Sequence, residues 1–106
     1  MDERMFIEEK DLKKRKIMME EWIIQNSSVR PTIDEIDHII DCFETIYNWY
    51  EKGWSPGSFT TAVLKNDFKQ ACFCADDVNR KNLYLYALFL HWHIPHSYLK
   101  KIDDLQ

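Results

Sequence analysis

Between Thr32 and Gly53 the sequence contains no glycine or proline, and its apolar residues fall into two adjoining helical stripes. Ile36, Ile40, Phe43, Tyr47 and Tyr50 follow one another at spacings of 4, 3, 4 and 3, and Ile39, Cys42, Ile46 and Trp49 run beside them. Such spacing puts residues on one side of an α-helix. Two neighbouring stripes give a face wide enough to bury against more than one partner, so this helix is expected at the centre of a core. Thr32 and Glu35 read as a capping box at its start, and Gly53 as the residue that ends it. Asp34, Asp37, Asp41 and Glu44 occupy the opposite side at 3, 4 and 3. They read as a solvated face, or as a carboxylate row able to hold a cation or imitate nucleic-acid phosphates toward a basic protein.

The remaining segments are helical by the same criterion. Residues 3–25 predict a first helix, with Met5, Leu12, Met19 and Ile23 on one side and Phe6, Ile17, Trp22 and Ile24 spread around it. Pro31 disfavours helical geometry at Arg30 and closes that segment. Trp54-Ser55-Pro56-Gly57 is a turn by composition. Ser58 is expected to cap a short helix over residues 59–65, with Phe59, Val63 and Ala62 inward. Asn66-Asp67 reads as a second cap, opening a helix to about Ala75 whose inward positions are Phe68, Ala71, Cys72 and Ala75. Asp76-Asp77 caps a last long helix that Pro95 ends, and residues 97–105 form a frayed turn. No segment alternates at period two for long enough to need a strand. The expectation is an all-α bundle of four to five helices in one domain spanning 1–106. Residues 32–98 supply its core helices, and the first helix protrudes or binds a partner. A chain of 106 residues buries roughly two-thirds of its extended surface, enough for one core.

Composition narrows the classes further. Two glycines and three prolines argue against collagen, low complexity and a turn-rich β-sandwich. Fourteen basic residues against eighteen acidic ones give a net charge of -4, which disfavours wholesale binding to phosphate backbones. Cys42, Cys72 and Cys74 are an odd number and read as free thiols of a reducing compartment. The charged N-terminus does not resemble a signal peptide. The longest uncharged run, residues 83–99, contains three histidines and a proline and is a poor membrane span. A cytoplasmic protein with no membrane partner is expected.

Chemistry-bearing patterns are sparse. His91, His93 and His96, even with Cys72 and Cys74, lack the spacings of a zinc site, because residues two apart on a helix point in nearly opposite directions. No nucleophile elbow, phosphate loop or dinucleotide fingerprint occurs. A non-enzymatic protein without cofactor or metal is the expectation. Lys13, Lys14, Arg15 and Lys16 form a basic cluster with Lys10, flanked by Glu8, Glu9, Asp11, Glu20 and Glu21. Interleaved charges of this kind support i,i+4 pairs, and nucleic-acid contact through Lys13–Lys16 is the alternative function. Phe6, Ile17, Met18 and Trp22 lie outside any single stripe, which suggests oligomerisation through the first helix or docking in a partner's groove.

Residues 55–71, Ser-Pro-Gly-Ser-Phe-Thr-Thr-Ala-Val-Leu-Lys-Asn-Asp-Phe-Lys-Gln-Ala, are followed by Ala75-Asp76-Asp77-Val78-Asn79. This segment resembles one found in small helical proteins of phages and prophages, with the pattern P-x-[GS]-F-x-x-A-V-L-x-N-D-[LF]-x-x-A, then A-D-x-x-N. The resemblance covers residues 50–98 and leaves out the first helix. Those proteins often close with Trp-Gly-Ser, where this chain has Pro95-His96-Ser97-Tyr98. What the resemblance implies is a mobile-element accessory protein. Within the motif, Gly57 permits a tight approach before a helix, and Phe59, Val63, Leu64 and Phe68 each offer about 1.5–3 kcal/mol if fully buried. The leading expectation is a protein that binds a host protein, inhibiting a defence or regulatory factor. Its candidate contact residues are Trp22, Trp54, Phe59, Asn66, Asp67, Asp76 and Asn79.

Overall fold

The computed structural model describes residues 5–105. Helix α2, Ile33–Lys52, is the axle of the bundle: Ile36, Ile39, Ile40, Phe43, Ile46, Tyr47 and Trp49 are all buried. Both stripes are therefore used, with Cys42 and Tyr50 at their edges only partly covered. Thr32 Oγ1 accepts from the Glu35 N–H while the Glu35 carboxylate accepts from the Thr32 N–H, closing the capping box. The Thr32 amide holds the Glu35 carboxyl below its usual range. Gly53 ends the helix in the left-handed region at φ 74°.

Around α2 stand α1 (Leu12–Asn26), α3 (Gly57–Leu64), α4 (Phe68–Cys74), α5 (Asp77–Lys81) and α6 (Leu83–Trp92), with 3₁₀ turns at Phe6–Glu8, His96–Lys100 and Ile102–Asp104. No strand occurs among the described residues, and the fold is all-α. α2 touches α1, α3 and α5, while α3 packs against α4 and α6. The core gathers Met19 and Ile23 of α1, the inner face of α2, Leu64 of α3, and Leu85, Tyr86 and Phe89 of α6. Phe43 is its hub: its ring lies 4.5 Å from Phe89, 5.3 Å from Tyr86 and 5.8 Å from Trp22. No described helix is long and apolar enough to cross a membrane.

Five expectations need correction. The first helix does not run from residue 3 to 25, and residues 3 and 4 lie outside the described part. Asp11 caps it by accepting from the Lys13 N–H, so α1 begins at Leu12. The chain before it makes a 3₁₀ turn that folds Phe6 into the core. Nor does this helix protrude, since Met19 and Ile23 have no exposure.

Ser58 does not cap α3. Gly57, at φ 81°, already lies inside the helix, and Pro56 precedes it without a side-chain cap. The last long helix is broken at Asn82, whose φ of -121° interrupts the ladder between α5 and α6. Phe68 is not a core residue. It stands at the first position of the short α4 and is 74% exposed, while Ala71 and Ala75 take the inward positions.

Candidate functional site

α3 and α4 are joined by a tight reversal at Lys65-Asn66-Asp67. The Asn66 N–H donates to Val63 O at 3.1 Å and the Asp67 N–H to Ala62 O at 2.9 Å, with Asn66 itself left-handed at φ 57°. This is a Schellman ending, in which asparagine takes the position glycine usually occupies. Asp67 then accepts from the Gln70 N–H at 3.2 Å and starts α4. The Asn-Asp pair of the motif is thus a stop followed at once by a start.

The reversal folds α4 back on α3, and a shallow apolar trough lies between these two helices and α6. Ala62, Val63, Phe68 and Ala71 form one wall and Leu83, Ala87 and Leu90 the other, with Asn66 and Asp67 on the rim, around about 110 Å³. Ala87 and Leu90 also line the next depression along α6, with His91, His96, Tyr98 and Leu99. Phe73, also on α4, is 73% exposed, and Lys69 Nζ stands 6.0 Å from its ring centre. The trough was missed because α6, Leu-Tyr-Leu-Tyr-Ala-Leu-Phe-Leu, reads simply as a buried helix. Its signal is that a helix apolar all round, lying at the edge of a small bundle, must show one side to solvent.

The structure does not bring the seven candidate contact residues onto one surface. Only Asn66 and Asp67 border the trough. Trp54 is 57% exposed at the end of α2, with Lys52 Nζ 4.5 Å over its ring. Asp76 caps α5 by accepting from the Asn79 N–H, and its other oxygen lies 2.6 Å from His38 Nε2. The remaining three face inward. Trp22 meets Phe6 and Phe43 edge-on, and Phe59 meets Tyr86 at 5.1 Å. Asn79 is buried, its Oδ1 accepting from the Tyr86 hydroxyl at 2.6 Å and its Nδ2 donating to Cys42 Sγ at 3.5 Å. Burial also pushes the Tyr86 phenol well above its usual range. Asn79 is therefore a packing residue, and Trp22 and Phe59 pack against the core with only part of each ring in solvent.

The basic cluster also divides. Lys13, Lys14 and Lys16 are exposed, but Arg15 is only 4% exposed. Its Nε and Nη2 donate to the two Glu44 oxygens at 2.6 and 2.7 Å, its Nη1 donates to Glu9 O at 2.7 Å, and the guanidinium lies 3.6 Å from the Tyr47 ring centre. The hydrogen bond to Glu44 raises the Arg15 pKa further. Arg15 is thus removed from any nucleic-acid surface, and Glu44 from the solvated carboxylate row.

The histidines separate too. His93 turns inward and stacks on Phe6 with ring centres 3.6 Å apart, its Nδ1 accepting from the Phe6 N–H at 3.3 Å. Burial lowers its pKa to about 4. His91 and His96 stay outside, 5.7 Å apart. No three His, Cys, Asp or Glu side chains among the described residues converge as a metal-ligand set.

This architecture defines an all-α bundle with an open apolar trough. Comparisons with protein families, with curated proteins and with solved structures found no match for this chain.

Proposed function

We propose that this is a non-enzymatic accessory protein of a phage or prophage that binds a host protein in the cytoplasm, with the trough that α3 and α4 form against α6 as its contact face. The observation that carries the reading is Phe68, left 74% exposed beside Leu83, Ala87 and Leu90. Large apolar side chains clustered on a small domain's surface mark an interaction site more often than an accident of folding. A trough of this shape suits the apolar side of a partner helix, which would anchor between Phe68 and Leu90. The host protein so occupied is a defence or regulatory factor, and the phage or prophage setting rests on the segment 55–79.

The test is capture from a nuclease-treated bacterial host lysate by the protein and by its Phe68→Asp variant, with far-UV circular dichroism of both. A protein retained in stoichiometric amount by the first and lost by the second, at unchanged helicity, supports the reading. Equal capture by both overturns the trough as contact face. Nucleic acid recovered without nuclease, and lost on reversing Lys13, Lys14 and Lys16, overturns host-protein binding in favour of the nucleic-acid alternative.

A further inference from the structure

α1 carries a second surface whose pattern is its own complement. Arg15, Met19 and Ile23 face α2 and are buried. At 100° per residue, Ile17 then stands nearly opposite them, and it is 58% exposed. Three and four residues before it come Lys14 and Lys13, and three and four after it Glu20 and Glu21, all exposed. The outward face of α1 thus reads positive, apolar, negative, with equal steps on either side of Ile17.

The two charged ends cannot neutralise each other within one chain. Lys14 and Glu20 are about 9 Å apart along the axis, and Lys13 and Glu21 about 12 Å, beyond the one-turn separation at which helical pairs form. Among the described residues none of the four takes part in an ion pair. An extended polyanion would gain from Lys13 and Lys14 but be repelled by Glu20 and Glu21. A polycation would meet the reverse. The occupant that satisfies both ends at once is a helix with the opposite order of charges, and α1 read backwards has that order. A two-fold axis requires a patch of this kind.

We infer that this chain pairs with a second copy of itself through antiparallel α1 helices, the two-fold axis passing at Ile17. Lys13 then lies beside Glu20 of the second copy and Lys14 beside its Glu21, on the two flanks of the seam, while the two Ile17 side chains meet at the centre. One helix face is small beside a standard stable interface, so the association is concentration-dependent and weakens as salt rises. It uses a different helix from those of the trough and stands or falls independently of the proposed host-protein binding.

Sedimentation equilibrium over a wide concentration range tests it with the wild-type protein and two variants. Lys13→Glu/Lys14→Glu makes the face wholly acidic, and Glu20→Lys/Glu21→Lys makes it wholly basic. All four positions are in solvent, and circular dichroism checks that helicity is kept. The expected result is wild-type mass rising toward twice 12.9 kDa with concentration, each variant alone staying monomeric, and their equimolar mixture recovering the two-fold rise. The inference is overturned by a wild-type protein monomeric throughout, by either variant associating alone as the wild type does, or by a mixture that stays monomeric.

Discussion

The α1–α2 half of the molecule and the α3–α6 half are held together by different means. In the first, two long helices close on Phe43, and Arg15 and Glu44 form a bidentate pair roofed by Tyr47. In the second, helices of five to ten residues follow one another, and each junction has its own fastening. Asn66 stops α3, Asp67 starts α4, Asp76 starts α5, and Asn82 separates α5 from α6 while donating to Val78 O. Short helices gain little from their own hydrogen-bond ladders, so caps and contacts must hold them. Both halves leave large apolar side chains in solvent, Ile17 in the first and Phe68 in the second. The lesson lies in what holds each together: long helices lean on a shared core, and short ones need a fastening at every junction.

The sharpest way to break this contrast is to empty the hub. Phe43→Ala is expected to cost roughly 3–5 kcal/mol in denaturant unfolding, because four aromatic neighbours lose their common partner. Next comes Glu44→Ala, which strands a buried guanidinium. A loss of about 3 kcal/mol is expected there, and a loss below about 1 kcal/mol would show that the pair is dispensable to this half.

On the other side, Asn66→Val forces a β-branched residue into the left-handed region and should cost about 1–2 kcal/mol by the same measurement. Asn66→Gly should cost almost nothing, since glycine is the commoner residue there.

The smallest effect is on pH. The folded state holds His93 near 4 against an ordinary 6.5, so as acid is added the unfolded chain takes up the proton first. Stability should hold above about pH 6.5 and decline between there and about 4. His93→Asn keeps a hydrogen-bond acceptor without a titrating ring, and its stability should be flatter across that window. An unchanged slope would place the acid sensitivity elsewhere.

Much of the first half was legible in the sequence. The two stripes of α2, its capping box and Gly53 are local signals that tertiary packing reinforces. What escaped were residues whose role depends on something distant. A lysine-flanked arginine gives no hint that Glu44, 29 residues away, will draw it inside. Phe6 reads as one more helical residue until His93 offers it an acceptor and a stacking face. In the second half the caps at Asp67 and Asp76 were readable, because capping is settled within four residues. The left-handed turn at Asn66 was not, since an asparagine beside an aspartate suits a start as well as a stop. The trough was hidden for another reason: α6 is apolar on every side, so its pattern carries no direction.

The clasp between Phe6 and His93 also sets an order of events in synthesis. The two are 87 residues apart, and Ile7 likewise donates to the His93 carbonyl. Phe6 therefore leaves the ribosome long before its partner exists. Until α6 is complete, Phe43 and Trp22 lack the cover that this turn provides. Contacts that span so much chain are slow to form, which makes the N-terminal turn the natural last piece to dock. A chain cut short before His93 would keep α1 and α2 whole yet leave their aromatic surface open, ready to be held by a chaperone or removed by a protease.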